Sequence, residues 1–227
     1  MKRGFLATCM ALGISCGLQA AQEPPIYFAP RVTQRPVIDG RLDDDAWKTA
    51  PLISGLVTNR EHQPTRFATE FRLVHDADAI YVAVLARETN LDRLKHRAWA
   101  DSLQDIFNDD CIEIFLDPQA TRRRYYQHIV NAGGLMACSY CGDFSADLPA
   151  EAVAGRVADA WTLEVRIPFT TFGPAPKLGE RWGMNLTRGR EPKADGQHRE
   201  NSLWSPTDGN HGNPARFGYL VFAGIPG

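Results

Sequence analysis

At 227 residues, with 44% hydrophobic and 23% charged side chains, the chain is long enough to bury one sizeable core, and a single large β domain of this length is common. Its 25 basic and 27 acidic residues leave a net charge of −2, a poor electrostatic footprint for a nucleic-acid binder. Nucleic acid is therefore excluded as the expected partner.

Lys2 and Arg3 precede a mostly apolar run from Gly4 to Leu18, and Ala20 and Ala21 provide the small residues at which a leader is cut. Residues 1–21 read as a signal peptide and residues 22–227 as one secreted or periplasmic domain. The apolar run is shorter than the roughly 20 residues an ordinary membrane helix needs, and no later stretch replaces it. No transmembrane segment is expected in the mature chain. The "GISC" before Gly17 also permits a lipoprotein anchored at Cys16, although Gly13 stands where a leucine is usual.

The stretch "VIDGRLDDDAWKTAP", Val37 to Pro51, holds three consecutive carboxylates and a lone tryptophan. Asp39-Gly40 is a turn pair, and Asp43 is placed to cap a short helix whose first turn carries Asp44 and Asp45 near the positive dipole end. Trp47, four residues after Asp43, can drop its ring onto the domain. Clustered carboxylates also suit a hard cation, which makes Asp39 and Asp43 candidate calcium ligands, but the spacing lacks the EF-hand pattern.

From Ala68 onward short strands of period two are broken by turn residues every ten to fifteen positions. In "TEFRLVHDADAIYVAVLARE" the "DADA" turn separates two strands of a hairpin. "NLDRLKHRAWADS" is the second short helical candidate and carries Trp99 in a polar setting. Strands follow at "CIEIFLD", "YYQHIVN", Leu135 to Cys138, "AWTLEVRIP", "RWGMNLTR" and "RFGYLVF", with the Gly/Pro-rich loop "SPTDGNHGNP" before the last. The architecture implied is an all-β antiparallel sandwich with long loops.

Within "CIEIFLD", Ile112, Ile114 and Leu116 share one face, while Cys111, Glu113 and Phe115 share the other. A carboxylate in the middle of such an apolar strand needs partners or a cleft. Trp161 and Trp182 sit on strands and read as core, whereas Trp99 and Trp204 are candidate ring platforms. If the leader is removed, Cys111, Cys138 and Cys141 remain. In an oxidising compartment Cys138 and Cys141 are the candidate disulfide. "CSYC" as a redox dithiol or half a zinc site lacks the βαβ context or the second ligand pair that those uses require.

The order "VIDGRLDDDAW", "FRLVHDADAIYVAV", "DDCIEIFLDP", "VNAGG", "AWTLEVRIPFTTFG", "RWGMNLTR" and "LWSP…NPARFGYLVF" resembles the family 9 carbohydrate-binding modules and their family-9-like relatives over nearly all of the chain after about Val32. The resemblance implies an immunoglobulin-like β-sandwich related to the DOMON superfamily. It also implies a terminal sugar clamped between two aromatic rings, with charged and amide side chains on its hydroxyls. A pyranose needs both, because its C–H faces stack on rings and its hydroxyls must exchange water for fixed partners. By this resemblance Phe107 falls on the first ring, Glu113 on the sugar-binding carboxylate and His211 on the second ring. Ile129 and Thr187 stand where the family has a ligand arginine and glutamine. Arg188 is a candidate substitute, although neighbouring strand residues point to opposite faces.

The expected function is therefore non-catalytic carbohydrate binding, acting beside glycoside hydrolases in polysaccharide use, with Phe107, Glu113, Trp204, His211, Trp99 and Arg188 as ligand residues. No cofactor is required by this reading, and calcium is an optional one. Three alternatives stay open at this point. A sandwich that has lost its sugar could serve as a protein-interaction domain. A haem-binding DOMON-like domain could use His128, Met136 or Met184 as axial ligands. An enzyme is the third, but there is no nucleophile elbow, paired-His metal motif or phosphate loop, and Asp110 and Glu113 on opposite faces of one strand do not suggest a glycosidase pair.

Overall fold

The computed structural model describes residues 23–97, 103–193 and 198–226, so the leader, Cys16 and Trp99 lie outside the described residues. Among the described residues the period-two alternation becomes twelve strands. In chain order they are β1 (Ile26–Ala29), β2 (Val57–Thr58), β3 (Thr69–His75), β4 (Ala79–Arg87), β5 (Cys111–Asp117), β6 (Tyr126–Asn131), β7 (Met136–Tyr140), β8 (Glu151–Val157), β9 (Ala160–Pro168), β10 (Arg181–Arg190), β11 (Glu200–Leu203) and β12 (Gly218–Phe222). One α-helix, α1 (Asp45–Thr49), precedes β2.

Sheet A runs β1-β12-β10-β5-β6-β7, with β11 on β10 and β2 on β11; sheet B runs β3-β4-β9-β8. The long strand β10 shares one edge between β12, along Arg181–Met184, and β11, along Thr187–Arg190. The core lies between the sheets. Phe71, Leu73, Ile80, Val82, Val84, Trp161, Leu163, Val165 and Ile167 from sheet B meet Ile112, Ile114, Leu116, Val130, Trp182, Met184 and Leu220 from sheet A. At about 1.5–3 kcal/mol for each large apolar side chain removed from water, this layer is the principal source of stability. The "DADA" turn forms because Asp76 Oδ1 accepts the N–H groups of Asp78 and Ala79, at 2.7 and 2.8 Å, and Oδ2 accepts the Tyr81 hydroxyl.

The outer face of sheet B is covered by the segment that leads into α1. Val32, Ala46, Trp47 and Ala50 bury against Val74, Ala79, Tyr81 and Ala83. Glu164, on the outward face of β9, fastens that segment. Its Oε2 accepts the N–H groups of Asp39 and Gly40, at 3.0 and 2.9 Å, and its Oε1 accepts Trp47 Nε1–H at 2.8 Å. Burial pushes the Glu164 carboxyl upward, opposed by those three donors. Gly40 is at φ +81°, which only glycine adopts readily.

Three local expectations are corrected. Asp44, not Asp43, stands at the N-cap of α1, and its carboxylate accepts the Val37 N–H instead of capping the helix. The described part of Asn90–Ser102 is one 3-10 turn, Leu91–Arg93, followed by an irregular stretch. Cys138 and Cys141 are free thiols. Cys138 lies within β7 and Cys141 just past its end, so the two extended residues between them hold their Cα atoms about 10 Å apart, beyond the reach of a disulfide.

Candidate functional site

The segment leading into α1 covers the β3–β4 part of sheet B's outer face, whereas sheet A carries polar and aromatic side chains on its own. On that face of β5 Glu113 pairs across the ladder with Thr187 of β10 and Ile129 of β6, so alternation alone sends its carboxylate away from the core. Glu113 is nevertheless only 2% exposed. Its burial is tolerated because each oxygen is engaged: Oε2 accepts Gln127 Nε2–H at 2.7 Å, and Oε1 accepts the Thr187 hydroxyl at 3.1 Å and lies 2.7 Å from His211 Nδ1. Gln127 is itself held, since its Oε1 accepts the Ser139 hydroxyl at 3.0 Å.

His211 reaches Glu113 from the loop between β11 and β12, which is pinned at several points. Asn185 exchanges hydrogen bonds with the Ser205 backbone, and Asn59 holds the Thr207 N–H and the Gly209 carbonyl. Asp208 pairs with His62 and Arg216. Gly212 passes so close to Tyr125 that a Cβ there would lie 2.3 Å from the phenol oxygen. The loop therefore presses the imidazole onto the carboxylate while leaving the His211 side chain 17% exposed, the outermost member of the group.

Phe107 stands beside this group. It belongs to a 3-10 turn, Leu103–Asn108, and meets Phe144 edge-on at 6.0 Å. Both pack on Ile106, Cys111, Ile129 and Ala137, which places Phe107 over the same face of β5 and β6 as Glu113. On the other flank Phe115, Tyr125 and Phe217 form a ring cluster with centroids 5.5 to 6.1 Å apart.

The structure thus brings together Glu113, His211 and Phe107 and leaves two candidates elsewhere. Arg188 is 1% exposed and turned inward, donating to the Thr69 hydroxyl at 3.2 Å and the Arg87 carbonyl at 2.9 Å. Burial lowers it to about 10. Strand alternation made that outcome legible. Trp204 packs on the interior core with its ring over Gly218, where a Cβ would lie 2.6 Å from Cζ3. Asp39 and Asp43 do not converge on a cation site: Asp39 Oδ1 accepts the Arg41 N–H, and Asp43 pairs with the Arg41 guanidinium. Among the described residues no three His, Cys, Asp or Glu side chains could share a metal. His128 and Met184 are fully buried in the sandwich interior.

Gln127 and Ser139 escaped the sequence reading: Gln127 stands opposite Phe115 and reaches Glu113 diagonally across the β5–β6 ladder. Thr187 replaces one expected amide, yet its hydroxyl still reaches the carboxylate.

Comparison with known proteins gives one consistent picture. The family model described as carbohydrate family 9 binding domain-like matches residues 38–224. A family 9 carbohydrate-binding module from Caldicellulosiruptor kristjanssonii, solved in complex with cellotriose, superposes with a TM-score of 0.69 at 20% identity, covering 89% of this chain and 95% of that one. The same organism's family 9 module in complex with glucose gives a TM-score of 0.66 at 20% identity, covering 89% and 96%. No curated protein matches significantly.

Proposed function

Because the chain belongs to the carbohydrate family 9 binding domain-like family, we propose that it is an exported, non-catalytic module that holds the end of a mono- or oligosaccharide on the outer face of sheet A. The observation that carries this reading is the Glu113 carboxylate, fixed by Gln127 and Thr187 beneath the partly exposed His211 ring. A ligand hydroxyl that takes the place of the imidazole gains a carboxyl acceptor already oriented and desolvated, which is worth more than the same contact in water. His211 then serves either as the displaced partner or as a ring against the sugar, and Phe107 supplies apolar surface for a C–H face. The cellotriose and glucose complexes of the two similar modules support the ligand class.

Calorimetric titration with glucose, cellobiose, cellotriose and xylotriose tests the proposal. Saturable binding is expected in the wild type, with a loss of about 10- to 100-fold in Glu113→Gln, since a hydrogen bond to a charged group contributes about 1.5–3 kcal/mol. His211→Ala, which leaves the strand ladder intact, should change affinity without changing the circular dichroism spectrum. Equal affinity in the Glu113→Gln variant would remove this site from consideration. Silence across a wider neutral and acidic panel would favour a sandwich that has exchanged sugar for a protein partner.

A further inference from the structure

The face of sheet A continues past the Glu113 group to the β1 edge, where its character changes. Ile26 and Phe28 point outward from β1 and are 47% and 56% exposed. They pair in register with Tyr219 and Val221 of β12, and Val221 pairs in turn with Arg181 of β10. Phe28 and Arg181 therefore flank Val221 on one row, separated by two strand spacings, about 10 Å. Two guanidinium groups lie over the Tyr219 ring, Arg122 at 4.9 Å and Arg181 at 4.7 Å.

Arg122 is held rigidly for a loop residue. Its N–H donates to Asp117 Oδ2 at 2.7 Å and its Nη1 donates to the Phe217 carbonyl at 2.7 Å, with the backbone at φ +61°. It is the first of three consecutive arginines, and Arg123 and Arg124 are exposed. Among the described residues none of these three arginines, nor Arg181, pairs with a carboxylate. In a chain of net charge −2, two guanidinium groups without acidic partners, stacked on one ring beside an exposed phenyl side chain, form a surface complementary to an anion that also carries an apolar face. Their mutual repulsion opposes a second copy of the same surface as the occupant.

We propose that this platform is a second binding surface, for an acidic oligosaccharide whose hexuronate carboxylates meet Arg122 and Arg181 while a pyranose face lies on Phe28. Guanidinium groups match planar carboxylates bidentately, and a pyranose C–H face is apolar in the way the exposed ring requires. The ligand class rests on the carbohydrate reading above. The surface does not, because it shares no residue with the Glu113 group. Phe217, which accepts from Arg122 and packs on Phe115 and Tyr125, is the buried residue that links the two regions.

The test is calorimetric titration of the full chain with trigalacturonate and with cellotriose, for wild type, Arg181→Glu, Phe28→Ala and Glu113→Gln, each verified as folded by circular dichroism. Both platform residues are exposed, so their variants should fold. Trigalacturonate binding should fall at least 10-fold in Arg181→Glu and in Phe28→Ala, with cellotriose affinity unchanged. Trigalacturonate binding that ignores both substitutions, or that is absent, overturns the proposal. So does an equal response to dextran sulfate or to phosphatidylglycerol vesicles that persists in Phe28→Ala, which would mark polyanion attraction alone. Failure of cellotriose in every protein, with trigalacturonate still lost in Arg181→Glu, sinks the Glu113 reading and leaves the platform standing.

Discussion

His128 shows at the residue scale how a fold can carry an unhelpful polar group. It sits on the inner face of β6 with no exposure, and neither ring nitrogen has a hydrogen-bond partner. Its neighbours offer no charge: Phe172 meets it edge-on at 6.2 Å, and Cys138, its ladder partner, has a thiol pushed up by burial to about 12. Desolvation lowers the imidazole to about 4 from an ordinary 6.5. The folded state therefore keeps it neutral where the unfolded state takes up a proton. Stability that is complete above pH 6.5 is lost as pH falls toward 4, by about 3 kcal/mol in total. His128→Leu should remove that part of the acid sensitivity and, by deleting two unpaired buried atoms, add about 1 kcal/mol at pH 7. Urea unfolding at pH 7 and pH 4.5 checks both. A variant whose midpoint falls by the same amount as the wild type between those pH values would show that His128 is not the group responsible.

Glu164 is the corresponding case at the scale of elements, where one side chain joins a strand to a segment more than a hundred residues away. The three groups that converge on it, two backbone N–H and the Trp47 indole, are all donors. An amide has only one acceptor oxygen, so Glu164→Gln turns an NH₂ toward at least one N–H. The variant should lose about 2 kcal/mol and become cleavable near Asp39 in limited proteolysis before the rest of the domain unfolds. Unchanged protease resistance would mean that burial of Trp47 alone holds the segment. This contact explains what the sequence could and could not convey. The Asp39-Gly40 turn and the inward tryptophan were legible from local chemistry, but their anchor was not, because Glu164 reads simply as an outward polar position of β9. The edge strand β8 was missed for a related reason. Its "EAVAGRV" is weakly apolar and interrupted by Gly155, whose missing side chain admits the Gly40 carbonyl, 2.4 Å from where a Cβ would lie.

The whole molecule is asymmetric in a way that restricts where a ligand can sit. Strand patterning in β3, β4, β5 and β9 was strong enough to yield the sandwich, and alternation in β5 sent Glu113 to the outer face of sheet A. The loop that supplies His211 has no periodicity, so its seat on Glu113 could be reached only through the family resemblance; Trp204 was offered for its place before that loop and Arg188 as a stand-in for the family's glutamine. Those two fail because a ring one residue beyond β11 and a guanidinium one residue beyond Thr187 fall on the interior side. Sheet B offers a competing cavity on its own outer surface, lined by Arg35, Pro36, Val37, Glu151, Val153 and Arg166. It has apolar and charged walls but no buried carboxylate held for a hydroxyl. Hydrogen exchange with and without saturating cellotriose separates the two faces, because a ligand that binds only the folded state suppresses opening wherever it adds contacts. Protection should rise across residues 205–217 and 107–115, where the His211 loop and β5 form the proposed site, and remain unchanged across 151–166. Protection confined to β8 and β9 would move the sugar to the opposite sheet, and the Glu113–His211 pair would then be a structural clasp that closes the loop over sheet A.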